Sequence, residues 1–204
     1  MYLYSYIGNS HLSIMSSDLE FKVQGNLVKN QTVIKNQKMQ NELEQKGYGE
    51  IDNGTYFLNM IETLFLLYSK KLKLSKGKRV IDFDDLMQIC IKSDVDILTK
   101  FLVFRDLRTR GYVIKDGFGF GSDFRVYERG HFGIKPAQYL VFALNEGKQE
   151  KIGQIQKNIY EITQMGKEPI IAVIERRGEV IYYKISKMNF LQNKSDLEMK
   201  DFKF

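Results

Sequence analysis

The chain has 204 residues, of which 43% are hydrophobic, 27% charged and 13% aromatic, with a single cysteine. This length and ordinary globular composition allow one large domain or two small ones with a sizeable core. The lone Cys90 excludes an intrachain disulfide framework and a zinc ribbon. The net charge of +6 favours a polyanionic partner, such as RNA, DNA or an acidic membrane, although a lysine-rich surface that serves only solubility fits equally well.

Targeting and membrane signals are absent from the sequence pattern. The chain starts with MYLYSYIG, which lacks the basic start and apolar run of a secretion signal. The most apolar stretch is FLNMIETLFLLY, which Asn59 and Glu62 interrupt and which is too short to span a bilayer. We therefore expect a soluble, cytoplasmic protein that does not enter a membrane.

Residues 1 to about 50 are rich in Asn, Gln and Lys with alternating apolar positions. Short strands are predicted within LEFKVQGNLVKNQTVIKN, with a turn at Gly25-Asn26. The segment MQNELEQKG predicts a short polar helix that Gly47 ends. Thr55 is then the expected N-cap of a core helix, because apolar residues recur at helical spacing from Tyr56 to Leu67.

The middle of the chain predicts a connector and two helices. KKLKLSKGKR is a basic connector, which we interpret as a solvated strand and loop rather than a phosphate contact. A helix follows from Asp82 to Lys92, with acidic residues at the favourable end of its dipole. Ser93 to Asp96 has the pattern of a capping box that begins the next helix, which Gly111 ends. Cys90 is expected to be a small buried hydrophobe.

From Tyr112 the pattern becomes that of strands. YVIKDGFGFGSDFRVYE predicts two strands around glycines, and QYLVFAL predicts a strand covered on both faces. A helix from Lys151 to Gly166, a buried strand PIIAVI, a turn ERRGE and a last strand VIYYKIS complete the order β-β-β-α-β-β after a leading helix. The predicted fold class is α/β, with an α+β N-terminal domain (1–92) and an α/β C-terminal domain (93–204) built on a mixed central sheet.

Four segments of the C-terminal half carry a family resemblance. They are DLRTRGYVIKDG, GSDFRVYERG, QYLVFAL and GEVIYYKIS. In order and spacing they resemble the archaeal tRNA-splicing (tRNA-intron) endonucleases, over about residues 55–187. The resemblance implies a nuclease-like domain that cuts introns at bulge–helix–bulge precursor tRNA without a metal or other cofactor. It also implies 2′,3′-cyclic phosphate and 5′-OH ends, and an oligomer, a tetramer with itself or with another endonuclease subunit.

Such cleavage needs a base for the ribose 2′-OH, an acid for the leaving 5′-oxygen and a fixed cation beside the phosphorane. By the resemblance, Tyr127 matches the family tyrosine that acts as general base, and Lys167 matches the family lysine that supplies the charge. A tyrosine of ordinary pKa, about 10, needs nearby cations for this role. Without the resemblance, Tyr127 reads as a packed strand aromatic and Lys167 as a solvated residue at a helix end.

The acid is missing from the matching position. The family places His-Ser or His-Ala before its Tyr-Leu-Val strand, and this chain has Pro136-Ala137 there. A proline side chain has no titratable group, so it cannot transfer a proton. His131 lies upstream in the same loop and is the alternative acid, whereas His11 is interpreted as incidental.

Two more departures surround Lys167. The family's Ser-x-Arg-Lys approach is Gln164-Met165-Gly166-Lys167 here, and the family's base-clamping cation falls near Tyr160, an aromatic that can still stack on a base. By the resemblance, the ERRGE turn matches an acidic loop that the family uses between subunits, with a last strand that pairs across an interface. Arg176 and Arg177 dilute its acidity, and an ordinary charged hairpin turn fits the pattern equally well. The candidate RNA-contacting residues are Arg125, Arg129, Tyr160 and Tyr182. The candidate interface residues are Glu175, Glu179, Val180 and Tyr182.

These observations lead to one functional hypothesis and two alternatives. The hypothesis is a structural, non-catalytic subunit of a tRNA-splicing endonuclease that helps to hold precursor tRNA. The first alternative is a catalytic subunit with a displaced acid, which uses Tyr127, His131 and Lys167. The second alternative is a protein that binds structured RNA outside splicing, which only the composition supports.

Overall fold

A computed structural model describes residues 22–117, 119, 121–147 and 152–185, with side chains in the last helix described from residue 158 onwards. The MYLYSYIG start, the beginning of the first predicted strand segment, His11 and the charged tail lie outside the described residues. None of the helices within these ranges is long and apolar enough to cross a membrane.

The N-terminal part forms a six-stranded sheet. Its strands in chain order are β1 (Val23–Val28), β2 (Gln31–Val33), β3 (Glu50–Asp52), β4 (Thr55–Leu58), β5 (Leu72–Lys76) and β6 (Arg79–Ile81). The spatial order is β3-β4-β2-β1-β5-β6. β1 and β5 are parallel, and the other neighbours are antiparallel.

Five helices lie within the described residues. They are α1 (Gln37–Gln45), α2 (Met60–Tyr68), α3 (Phe83–Ile91), α4 (Ile97–Thr109) and α5 (Ile152–Gln164). At the start of each of the first three helices, the N-cap side chain accepts a hydrogen bond from one of the free backbone N–H groups. Asn36 and Asp82 accept from the third residue of α1 and α3, and Asn59 forms a reciprocal capping box with Glu62 on α2.

The C-terminal part forms a five-stranded mixed sheet in the order β11-β10-β9-β8-β7. Its strands are β7 (Val113–Asp116), β8 (Phe124–Tyr127), β9 (Tyr139–Asn145), β10 (Glu168–Ile174) and β11 (Val180–Lys184). Only β9 and β10 are parallel within it, and α5 joins them. The predicted β-β-β-α-β-β order and the mixed α/β fold class are therefore confirmed.

The two faces of this sheet meet different neighbours. On one face α4 packs against the buried strand residues, with the rings of Phe104 and Phe124 6.0 Å apart. On the other face Ile162 of α5 covers Leu140 and Phe142. The paired registers place Lys115, Arg125 and Tyr127 of β7 and β8 on that second face as well. There they meet α1 and β3 instead of α5.

One hydrophobic core joins the two sheets. α2 packs on α4 through Phe65 and Phe104, whose ring centroids are 5.6 Å apart, and Phe104 in turn contacts Phe124 of β8. The buried cluster runs from Val23 in β1 to Ile174 in β10. The division of the chain at residues 92 and 93 stays a prediction, and the core is continuous across it.

Two N-terminal predictions are wrong. Gly25-Asn26 is not a turn but lies inside β1, and the chain turns after Val28, where Lys29 has a φ of 53°. Gly25 instead allows β1 and β2 to lie close together, because a Cβ at this position would be only 2.5 Å from the Cγ2 of Thr32 on β2. Thr55 is not a helix N-cap, since it begins β4 and α2 starts only after Asn59.

The predicted capping box at Ser93 to Asp96 does not form. Asp96 occupies the N-cap of α4 without a side-chain cap hydrogen bond, and Asp94 accepts from the Asp96 amide and from the Lys100 ammonium. The basic connector forms the hairpin β5–β6, with Gly77 at a φ of 61° in its turn. Cys90 is buried, as expected.

The contact between the loop after α1 and β7 yields a stability prediction. Gly47 and Gly54 have φ values of 72° and 74°. An Ala at either position would therefore have the same backbone strain energy, about 1–2 kcal/mol, from the left-handed conformation. A Cβ at Gly47 would also collide with Val113 on β7, whereas a Cβ at Gly54 meets nothing within 4 Å. We expect Gly47→Ala to cost about 1–3 kcal/mol more than Gly54→Ala in denaturant unfolding. Equal losses would contradict the close packing of the two parts.

Candidate functional site

The chain brings three positions of interest to one end of the five-stranded sheet. Tyr127 ends β8, Ala137 precedes β9, and Lys167 precedes β10. β8 runs antiparallel to β9, and β9 runs parallel to β10, so the end of β8 and the starts of β9 and β10 lie at the same edge. The predicted base, the loop that carries Pro136 and the predicted cation therefore lie at one edge of the sheet.

Lys167 is held in place at this edge. Its backbone N–H donates to the Ile162 carbonyl at 3.2 Å, which closes α5. Its ammonium donates to the carbonyl oxygen of Ala137, next to Pro136. The half-buried cation is thus fixed beside the loop in which Pro136 itself is exposed.

Tyr127 packs edge-on against Phe132, with ring centroids 5.1 Å apart. The Tyr127 side chain is half-buried and lines a groove. Its hydroxyl makes no hydrogen bond with any other described residue. A phenol in this place is available to a ligand that enters the groove.

His131 belongs to a separate network. Its Nδ1 lies 3.1 Å from Oε2 of Glu128, whose other oxygen accepts a 3.0 Å hydrogen bond from the Tyr139 hydroxyl. Burial, together with the Glu128 carboxylate, raises the pKa of Tyr139 to about 12. Tyr139 pairs with Val126 and so lies on the sheet face opposite Tyr127. His131 is therefore anchored to a carboxylate that is directed at the α4 face.

The candidate RNA-contacting residues lie in different surroundings. Arg125 faces the groove, with its Nη2 3.7 Å from Oε1 of Glu50. The guanidinium of Arg129 lies 5.3 Å from the ring centre of Tyr112. Tyr160 is 55% exposed on α5. Arg125 therefore lines the same groove as Tyr127, whereas Arg129 packs on Tyr112.

Tyr182 is bound within its own chain. Its hydroxyl donates to Oδ2 of Asp106 at 2.7 Å, and Arg110 lies 5.7 Å from its ring centre. Burial and this carboxylate raise the pKa of Tyr182. The other interface candidates, Glu175 and Glu179, form the β10–β11 hairpin turn at the sheet end opposite Lys167, where the Glu175 N–H donates to the Glu179 carbonyl at 3.0 Å.

The groove beside Tyr127 has a volume of about 780 Å³ and separates α1 and β3 from β7 and β8. Polar, charged and aromatic side chains all contribute to its lining. The lining residues are Asn41, Glu44, Gln45, Tyr48, Gly49, Glu50, Ile51, Lys115, Arg125, Tyr127, Phe132 and Gly133. The two parts of the chain thus contribute opposite walls of one site.

A buried ion pair lies at the base of this groove. Lys115 donates to the Gly49 carbonyl at 2.6 Å, and its Nζ is 3.5 Å from Oε1 of Glu62. Glu62 accepts from the backbone N–H groups of Gly49 and Asn59, both at 3.1 Å. Burial raises the pKa of Glu62, while Lys115 and the two N–H groups oppose that rise.

Sequence reasoning did not identify Glu62, Lys115 or Phe132 as site residues. Glu62 carries a local signal, because Asn59-x-x-Glu62 is a capping-box pattern within an apolar helix. Lys115 is a charged residue in a partly apolar strand, and the neighbouring sequence does not indicate which acidic residue it pairs with. Phe132 has no local signal at all.

Comparisons with known proteins identify the family. A family model for the catalytic C-terminal domain of tRNA intron endonuclease matches residues 97–182, and one for the N-terminal domain of tRNA intron endonuclease matches residues 23–87. A tRNA-splicing endonuclease of Thermococcus onnurineus is 32% identical over 177 residues, which are 86% of this chain and 100% of that protein. This chain belongs to the tRNA-intron endonuclease family. The tRNA-splicing endonuclease of Pyrococcus furiosus matches to the same extent, and that of Methanococcus maripaludis is 32% identical over 69% of this chain and 80% of its own length.

The family membership confirms the resemblance that was noted in the sequence. The expected absence of a metal is a separate matter. Among the described residues, no group of three or more His, Cys, Asp or Glu side chains is arranged to hold a metal ion. The expectation of a cofactor-free reaction stays a prediction.

The buried pair yields a prediction about stability. Lys115→Met leaves the Glu62 carboxylate buried without its cation, so we expect a loss of about 3–5 kcal/mol in the free energy of unfolding. The double variant Glu62→Gln/Lys115→Met removes both charges and should lose less than the sum of the two single changes. Denaturant unfolding of all three variants measures this coupling.

The matched control is the exposed pair Arg79–Asp85, whose N–O distance is 2.7 Å. Arg79→Met should change stability by less than about 1 kcal/mol. Additive effects of the Glu62 and Lys115 substitutions would show that the two side chains do not act as a pair.

Proposed function

We propose that this chain is a structural subunit of a tRNA-splicing endonuclease and helps to hold precursor tRNA while a partner subunit cuts the intron. The observation that carries the proposal is Pro136, which stands where a proton donor is needed at the sheet end. By the resemblance of the sequence, this is the position of the family histidine, and the proline side chain has no titratable group. The other elements of the site, Tyr127 and Lys167, lie at the same edge of the sheet.

The reaction requires all three elements at once. In the proposed complex, the ribose 2′-OH attacks the adjacent phosphorus and its proton passes to a base. The leaving 5′-oxygen takes a proton from an acid, and the products carry a 2′,3′-cyclic phosphate and a 5′-OH. A site with a phenol and an ammonium but no acid loses a factor of about 10²–10⁴ in rate, so a subunit with a complete site would carry the cleavage.

The contacts of Lys167 support the same proposal. Its ammonium donates to the carbonyl of Ala137 in its own chain, so one of its three donors is already used by the loop that lacks the acid. His131 is engaged with Glu128, whose second oxygen reaches the opposite face of the sheet.

Partner contacts are proposed at the far side of the sheet. β11 pairs with β10 on one side only, so among the described strands its outer edge has free backbone groups that can pair with another chain. The Glu175–Glu179 turn lies directly before this edge. We propose that Val180, Tyr182 and this turn take part in a hetero-oligomer of tetrameric size in the cytoplasm, although the Tyr182 hydroxyl is bound to Asp106 within the chain.

One observation favours a second candidate, a catalytic subunit with a displaced acid. His131 lies in the loop that joins β8 to β9, which is also the loop that holds Pro136. The Glu128 carboxylate would fix the tautomer of its imidazole, as an orienting carboxylate does in other acid–base sites. In this alternative a movement of the loop would bring His131 to the side of Tyr127 and Lys167.

The test is cleavage of a bulge–helix–bulge RNA in a metal-chelating buffer, by the chain alone and with candidate catalytic subunits. We expect no cleavage by the chain alone and cleavage by the mixture, with products that end in a 2′,3′-cyclic phosphate. Tyr127→Phe and Lys167→Ala in this chain should change the rate of the mixture by less than about threefold, against the 10²-fold or greater loss expected of an acid–base group.

Matched controls are Tyr68→Phe and Lys76→Ala, which lie in the N-terminal part, away from the sheet end. Cleavage by the chain alone that Tyr127→Phe abolishes and Tyr68→Phe leaves intact would contradict the structural role. If His131→Gln abolished it as well, the displaced-acid alternative would hold.

A further inference from the structure

We propose that the groove between α1 and β3 on one side and β7 and β8 on the other binds one unpaired nucleobase of the RNA. This proposal rests on the proposed function, because it takes the ligand to be RNA. It adds a recognition site built from Arg125, Phe132 and Glu50, of which the acid comes from the N-terminal part of the chain.

An unsatisfied donor points to a ligand in this groove. Among the described residues, Nε of Arg125 is the buried side-chain nitrogen or oxygen atom that has no hydrogen-bond partner. The nearest acid does not provide one, since Nη2 of Arg125 is 3.7 Å from the Glu50 carboxylate, beyond hydrogen-bonding distance. Buried polar groups in folded proteins nearly always have a partner, and a rotation of the Arg125 side chain, which is 34% exposed, would bring this N–H to an acceptor of a ligand in the groove.

The charges in the groove favour a base over a phosphate. The ammonium of Lys115 is already used by the Gly49 carbonyl and by Glu62. Glu44 and Glu50 add two carboxylates to the walls, so the single cation of Arg125 does not make a site for a phosphodiester. A nucleobase fits better, because its carbonyl oxygens accept from Arg125 while its N–H groups donate to Glu50.

The aromatic residues provide the apolar part of such a site. Phe132 and Tyr127 meet edge to face at 5.1 Å and both line the groove. A base that has left its helix can stack on an aromatic side chain, and this contact is independent of net charge. The groove volume of about 780 Å³ is within the range of clefts that bind small ligands.

The position of Tyr127 relates the groove to the rest of the site. Its side chain lines the groove, and it ends the strand beside Ala137 and the Lys167 ammonium. A base bound here would therefore belong to a nucleotide close to this edge of the sheet. Continuous duplex RNA has no free base to insert, so the groove would distinguish bulged RNA from duplex RNA.

The experiment compares binding of a bulge–helix–bulge RNA with binding of a continuous duplex of equal length, at one fixed salt concentration. The variants are Arg125→Lys, which keeps the charge and loses the guanidinium geometry, and Phe132→Leu, which keeps an apolar side chain and loses the ring. The control is Arg79→Lys, the same change on β6, away from the groove. The chain is measured alone and in complex with a catalytic subunit.

We expect the wild type to prefer the bulged RNA, and each groove variant to bind it about tenfold more weakly, with duplex binding and the Arg79→Lys variant unchanged. Unchanged duplex binding also shows that a variant is folded. A second measurement uses the wild type only: 4-thiouridine at each unpaired position is crosslinked by light, and the crosslinked peptide is mapped. We expect it to include residues between Arg125 and Gly133.

The outcomes separate the two proposals. If the wild type prefers bulged RNA, but the groove variants keep that preference and the crosslinks fall elsewhere, the nucleobase site is wrong and the proposed function stands. Equal losses for bulged and duplex RNA would mean that Arg125 and Phe132 contact RNA without distinguishing an unpaired base, which also overturns the site. If the wild type shows no preference for bulged RNA alone or in the complex, both proposals fail.

Discussion

The buried contact between Lys115 and Glu62 determines how the two sheets of this protein meet. Lys115 lies on β7 of the second sheet, whereas Glu62 lies on α2, which packs against the first. Both side chains are almost fully buried, with 7% and 3% exposed, and both also bind the backbone of Gly49 next to β3. A buried ion pair of this kind adds little net stability but penalises any arrangement in which one charge is left alone. It therefore specifies one docking of α2 and β3 on β7.

Neighbouring contacts have the same effect. Asn59, the N-cap of α2, donates to the carboxylate of Asp116 at 2.8 Å, at the end of β7. Arg108 of α4 donates to the carbonyl of Lys46 at 2.8 Å, and its guanidinium lies 3.8 Å from the ring centre of Tyr48. Together these contacts hold the segment from α1 to β3 over β7 and β8. The groove and the surroundings of Tyr127 are consequences of that placement.

The C-terminal sheet was largely predictable because its signals are local. QYLVFAL and PIIAVI are apolar runs of strand length, and the helix between them required the parallel pairing of β9 and β10. The N-terminal errors also have local causes. Gly25 resembles a turn residue but allows close approach of β2, and the apolar run from Tyr56 contains a strand and a helix separated by Asn59.

The candidate site was predictable only in part. The resemblance gave Tyr127, Lys167 and the Pro136 position, and the strand order then brought them to one edge. The groove depends on pairs that are far apart in the chain, such as Glu62 and Lys115, which are separated by 53 residues. A single sequence does not reveal such contacts, because hydrophobic periodicity describes only neighbours along one helix or strand.

The interlocking of the two parts can be measured directly by native-state hydrogen exchange in low denaturant, which reports the opening free energy of each segment. If the buried pair couples the parts, the amides of α2 and those of β7 and β8 will lose protection together, and Lys115→Met will lower both opening free energies by the same amount. Opening of α2 while β7 and β8 stay protected, with free energies that differ by more than about 2 kcal/mol, would contradict the coupling.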